Sequence, residues 1–142
     1  MRTYYIFNVN KYFSYMYKRT PFKMYKIFEE IYNTRNYDTN MTYHSLLDVA
    51  DPFNKIMLSE YIYYEYKYKC GNVHTLNSGE KTLLRINNYN IKLKTENNYS
   101  VFFKYLNRYN NNLFVCDFEN KDYFWLSILE NGSLQKDKAV VK

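Results

Sequence analysis

The period of apolar and polar positions changes several times along the chain. Thr3-Tyr4-Tyr5-Ile6-Phe7-Asn8-Val9 is a dense run of aromatic and β-branched residues, which predicts a buried strand. Asn10 then stands as an N-cap for a short helix over Lys11 to Lys18, with Phe13 and Tyr17 one turn apart on one face. Thr20-Pro21 is a helix start, with Thr capping and Pro in the first helical position. Met24, Ile27, Phe28 and Ile31 follow at helical spacing and form a single apolar stripe up to about Asn33. Asn33 to Met41 is polar and reads as a loop, and Tyr43 to Ala50 as a short helix.

Asp51-Pro52 repeats the cap-plus-proline signal. It predicts a helix to about Tyr66 carrying Phe53, Ile56, Met57, Tyr61 and Tyr64, whose tail also alternates like a strand. Cys70 to Gly79 reads as a connection. Thr82–Ile86 and Asn90–Thr95 alternate around Asn87-Asn88-Tyr89, and because Asn tolerates positive φ this predicts a hairpin. Asn97 or Asn98 can cap a helix to Tyr109 with Phe102, Tyr105, Leu106 and Tyr109 inward. Leu113–Phe118 and Tyr123–Ile128 are strands joined by a turn at Glu119-Asn120-Lys121, and residues 130–142 form a polar, frayed tail. Strands at both ends with helices between predict one α/β (α+β) domain over residues 1–129. Its mixed, mostly antiparallel sheet has about five strands, packed with three to five helices.

Composition narrows the function. With 46% apolar residues in 142, the chain can bury a core. Its 3 glycines form neither GxGxxG nor GxxxxGK, which excludes a phosphate-cradling loop of those types. Its 2 cysteines do not make a disulfide framework. The net charge of +6 points to an anionic partner, but the lysines are dispersed and form no basic tail. An excess of Lys, Asn and Tyr over Ala also fits an AT-rich gene, so direct nucleic-acid binding is not favoured by charge alone. No run reaches the length of a secretory or membrane-spanning segment, and the expected setting is the cytoplasm.

Candidate chemistry is sparse. Cys70 and His74 lie four apart without the further ligands zinc requires, and His44 stands alone, so no metal or cofactor is expected. Cys116 sits mid-strand as a small hydrophobe rather than a nucleophile. Asp117, Glu119 and Asp122 resemble the acidic cluster of a metal nuclease, since alternation would put Asp117 and Glu119 on one face; a solvated turn is the simpler reading. The tyrosines and lysines from Tyr61 to Lys69 could stack bases or meet a protein. Phe13 and Tyr17 are core if they face inward and a compact hydrophobic anchor if outward; periodicity leaves both open.

The ordered set of segments resembles the sporulation inhibitor of replication (SirA-like) family. The resemblance is carried by Tyr4-Tyr5-Ile6-Phe7, Phe13 with Tyr17, and Met24-Tyr25-Lys26-Ile27-Phe28. It continues through Val101-Phe102-Phe103-Lys104-Tyr105-Leu106, Leu113-Phe114-Val115-Cys116-Asp117-Phe118 and Tyr123-Phe124-Trp125-Leu126, covering about residues 3 to 128. It implies a non-enzymatic inhibitor that binds the N-terminal domain of the replication initiator DnaA and blocks its assembly at the origin.

The resemblance further implies that Phe13 and Tyr17 are the anchors, with Ile128 standing where the family often has proline. From charge, Lys11 and Lys18 flank the anchors and would steer an acidic partner. The chain is expected to be monomeric before the complex forms. The alternative function is a small nucleic-acid-binding module using the Tyr/Lys surface. If Phe13 and Tyr17 are anchors, alanine at either abolishes the interaction and spares the fold; if they are core, it lowers the melting temperature.

Overall fold

A computed structural model describes residues 2–33, 46–70, 73–75, 81–96 and 98–130. Strand β1 (Arg2–Val9) is the centre of a seven-stranded sheet. It is flanked on one side by β5 (Ile91–Thr95), β4 (Lys81–Ile86) and β3 (Val73–Thr75), and on the other by β6 (Leu113–Asp117) and β7 (Asp122–Trp125). The two-residue β2 (Ala50–Asp51) pairs with the end of β1. All these pairings are antiparallel.

The burial of β1 explains its sequence. Tyr4 and Ile6 enter one apolar cluster, Phe7 and Val9 another, so each face of the strand meets a core. A strand buried on both faces reads as a run, not an alternation. On the first face lie α3 (Lys55–Tyr66), through Leu58 and Ile62, and α4 (Val101–Tyr109), through Phe102, Phe103 and Leu106. On the second lie α1 (Lys11–Tyr17) and α2 (Pro21–Asn33). There Phe28 of α2 stacks on Phe7 with ring centroids 4.0 Å apart. Complete burial of such a ring stabilises by about 1.5–3 kcal/mol.

Several elements differ from the sequence expectation. The helix over Tyr43–Ala50 reduces, among the described residues, to a helical turn at residues 46–49, and Ala50 is already in β2. Its first residues, most of the loop from Asn33 to Met41, and His44 lie outside the described residues, as do residues 131–142.

Asp51 belongs to β2, and α3 starts instead at Asn54, whose Oδ1 accepts from the Met57 N–H at 3.1 Å. Its buried side is Leu58 and Ile62. Of the apolar residues this helix carries, Ile56, Met57 and Tyr64 are 74%, 60% and 66% exposed. The helix closes at Lys67, which takes a left-handed conformation and donates its N–H to the Tyr63 carbonyl at 2.9 Å.

The expected connection Cys70 to Gly79 contains β3. The expected β4–β5 hairpin forms, but Ile86 stands opposite Ile91, so Asn90 belongs to the turn and not to the strand. Its turn is held by Asn87 donating to the Asn90 carbonyl at 2.8 Å, and none of its residues has positive φ; Lys67 and Lys121 alone do so among the described non-glycine residues. Ser100, not Asn97 or Asn98, caps α4. The last strand stops at Trp125, and Leu126–Glu130 turns into a 3-10 helix.

Candidate partner-binding surface

Helix α1 has seven residues, too few to be stable alone, and its N-terminal end is tied to the scaffold. The Asn10 Oδ1 accepts from the Phe13 N–H at 3.0 Å, its own N–H donates to the Val49 carbonyl at 2.9 Å, and its Nδ2 donates to the Asp48 carbonyl. Inward, Ser14 is buried and its hydroxyl donates to Asn112 Oδ1 at 3.2 Å. This fixes which side of the helix faces out.

Phe13 and Tyr17 lie between the two orientations open at the sequence level. Both are half-buried against the second cluster, with ring centroids 6.0 Å apart and planes 26° apart. They support α1 and also show an edge at the surface. Ile128 is half-buried and packs against both clusters. Lys11 is exposed. Lys18 is half-buried, with its ammonium 4.3 Å from the centroid of the Trp125 ring. That is cation–π distance, and desolvation lowers the pKa of the lysine. Trp125 itself is 2% exposed, and its indole Nε1 has no hydrogen-bond partner. Phe13, Tyr17, Ile128 and Trp125 thus converge on one cluster, and Lys18 is held above it.

Sequence reasoning missed the outward residues. Tyr15 is 90% exposed, Tyr12 67% and Met16 44%. Tyr15 and Met16 line a surface groove with Lys11, Lys18 and Arg19, and among the described residues no acidic side chain lines it. Positions 12, 15 and 16 are at helical spacing, but so are 13 and 17, and a short helix apolar on two sides has no periodicity that favours either.

The other candidates are placed elsewhere. Asp117 and Asp122 are register partners, held together by Arg2, whose Nη2 lies 2.8 Å from Asp117 Oδ2 and 3.0 Å from Asp122 Oδ2. Asp117 also accepts from the Asn120 N–H and Nδ2 at 3.1 and 2.8 Å. Glu119 is exposed in the turn, outside β6, so it does not share a strand face with Asp117 as alternation suggested. These carboxylates form a structural clasp.

Cys116 is fully buried on β6, and burial raises its thiol pKa well above the usual value; Cys70 is half-buried and also raised by burial. His74 lies on β3. Among the described residues no group of three His, Cys, Asp or Glu could hold a metal.

The Tyr/Lys stretch is largely committed to packing. Tyr68 is buried, donating its hydroxyl to the Thr82 carbonyl and accepting from the Leu84 N–H. Tyr66 stacks on Tyr105 at 3.6 Å, and Tyr61 shares a hydrogen bond with Tyr66. Of these five tyrosines, Tyr63 and Tyr64 are exposed.

Among the described residues no helix is long and apolar enough to cross a membrane. A comparison with curated proteins finds no match. A family model described as "Sporulation inhibitor of replication protein SirA" matches residues 2–130, a span that contains every labelled element, α1, Trp125 and Ile128 among them. The chain therefore belongs to the family of the sporulation inhibitor of replication protein SirA, a family of regulatory inhibitors rather than enzymes.

Proposed function

We propose that this protein inhibits the initiation of DNA replication in the cytoplasm by occupying the N-terminal domain of the initiator DnaA with the α1 surface. The observation that supports the reading most is the outward side of α1. It sets exposed Tyr15 and Met16 among Lys11, Lys18 and Arg19, next to the half-buried edges of Phe13 and Tyr17. Aromatic anchors surrounded by cations suit a partner with an apolar pocket and an acidic rim. Ile128 extends the surface from the same cluster. Inhibition needs no chemical step, because occupying the domain excludes its other contacts.

The half-burial of Phe13 and Tyr17 changes the expected mutant behaviour. Alanine at either position opens a partial cavity as well as removing contact area, so a modest loss of stability accompanies the loss of binding. Tyr15→Ser removes an exposed ring and leaves the melting temperature unchanged.

The test is a titration of the purified N-terminal domain of the host's DnaA, read by calorimetry or by emission of the single tryptophan, Trp125. Saturable one-to-one binding is expected, weakening with salt. Tyr17→Ala or Tyr15→Ser should weaken it roughly 10- to 100-fold. No binding at high micromolar concentration, or wild-type affinity in both variants, would remove the reading.

A further inference from the structure

The outward side of α3 carries an apolar surface that the proposed DnaA contact does not use. Around the helix, Glu60 points directly away from buried Leu58 and Ile62. It is surrounded by Ile56, Met57, Tyr63 and Tyr64, which are 74%, 60%, 49% and 66% exposed. Tyr63 and Tyr64 pack edge to face with centroids 5.3 Å apart, joining the two flanks into one patch. Exposed Lys67 ends the helix. α3 and α1 pack on opposite faces of the sheet, so the two surfaces are separate.

We propose that this face of α3 pairs with the same face of a second copy, forming a reversible symmetric dimer that leaves α1 open. Two observations select a second copy as the occupant. The first is charge. With the two-fold axis perpendicular to the helices, the pair runs antiparallel and each residue meets a different one of its twin, whereas a parallel pair would set Glu60 against Glu60. Ile56, Glu60, Tyr63 and Lys67 are spaced four, three and four apart, as in a helix-pairing seam. Setting Ile56 against Lys67 of the second copy places Glu60 against Tyr63 of the second copy, one turn from that Lys67. Both glutamates then gain a cation within reach, and the two glutamates stay apart.

The second is area. A fully covered aromatic buries about 150–250 Å², so the four apolar residues at their exposures offer roughly 500 Å² per copy. The pair then covers about 1,000 Å², the size of a weak but specific interface. The monomer expected from the sequence is thereby replaced by a monomer–dimer equilibrium.

Sedimentation velocity on the full chain, from low micromolar to several hundred micromolar, tests this. A dimer that grows with concentration is expected. Tyr64→Glu or Ile56→Lys should abolish it, and Tyr15→Ser on α1 should leave it unchanged. Glu60→Lys and Lys67→Glu should each weaken it about tenfold, and the two together should restore it. Circular dichroism melts identify any variant that has lost its fold, and the exposure of both Tyr64 and Ile56 provides a second variant if one fails. A monomer at every concentration overturns the proposal. So does a dimer that survives both Tyr64→Glu and Ile56→Lys, or one that Tyr15→Ser removes. Failure of the double swap to restore it overturns the antiparallel register.

Discussion

Arg2→Ala removes the cation that lies between two carboxylates on neighbouring strands. Asp117 and Asp122 are direct register partners, and like charges in that position repel. Arg2 offsets this by placing Nε 2.9 Å and Nη2 2.8 Å from Asp117 Oδ2, and Nη2 3.0 Å from Asp122 Oδ2. The Asp117 side chain is 0% exposed, whereas those of Arg2 and Asp122 are 19% exposed. Removing one member of a buried pair costs about 3–5 kcal/mol. Two features reduce this: Asp117 keeps both donors from Asn120, and water reaches Asp122. The expected loss is therefore about 2–3 kcal/mol.

At about 2.1 cal/mol/K per residue, 142 residues unfold with an entropy of about 0.3 kcal/mol/K, so the melting temperature should drop by about 7–10 °C. Scanning calorimetry at neutral pH reads this directly. Arg2→Lys should fall between, because an ammonium lacks the planar fork. Asp122→Asn in the Arg2→Ala background should recover part of the loss by removing the repulsion. A melting temperature within about 2 °C of wild type, equivalent to about 0.5 kcal/mol, would refute the reasoning, as would no recovery in the double variant.

Three further outcomes follow from the structure. Glu29 accepts from Lys26 Nζ at 2.8 Å, Lys121 Nζ at 3.2 Å and the Tyr25 hydroxyl at 3.0 Å; Lys26 is the largest influence, and the carboxyl is held at about 2 against an ordinary 4.5. Because the folded value is depressed, its stabilisation is complete above pH 4.5 and lost as pH falls toward 2; Glu29→Gln should flatten that part of a urea-midpoint-against-pH curve. Asn10→Ala removes the cap and the tether of α1, which should cost about 1–2 kcal/mol in chemical denaturation and weaken the proposed DnaA binding without touching a proposed contact residue. Cys116 should be alkylated in the native protein at the rate of global unfolding, well after Cys70, as followed by mass spectrometry; equal rates would contradict its burial.

Wherever one pattern dominated, the sequence alone determined the element. The unbroken aromatic and β-branched run of β1 belongs to a central strand, Thr20-Pro21 opens α2, and the alternation of β4 and β5 belongs to a hairpin. The cap at Asn10 and the ordered segments of the SirA family were legible for the same reason: the signals are local. Other features depended on which side of an element met the core.

In α3 apolar residues occur all around the helix, so periodicity could not separate buried Leu58 and Ile62 from exposed Ile56 and Tyr64. In α1 the same ambiguity left Phe13 and Tyr17 half-buried and turned Tyr15 outward, once Ser14 was fixed against Asn112, 98 residues away. The acidic cluster became a clasp through Arg2, 115 residues from Asp117, and Lys18 became a packed cation over Trp125. Backbone signals act over a few residues and are written in order along the chain. The side of a helix that is buried is chosen by apolar area lost to water across the whole fold, and only the tertiary structure records that choice.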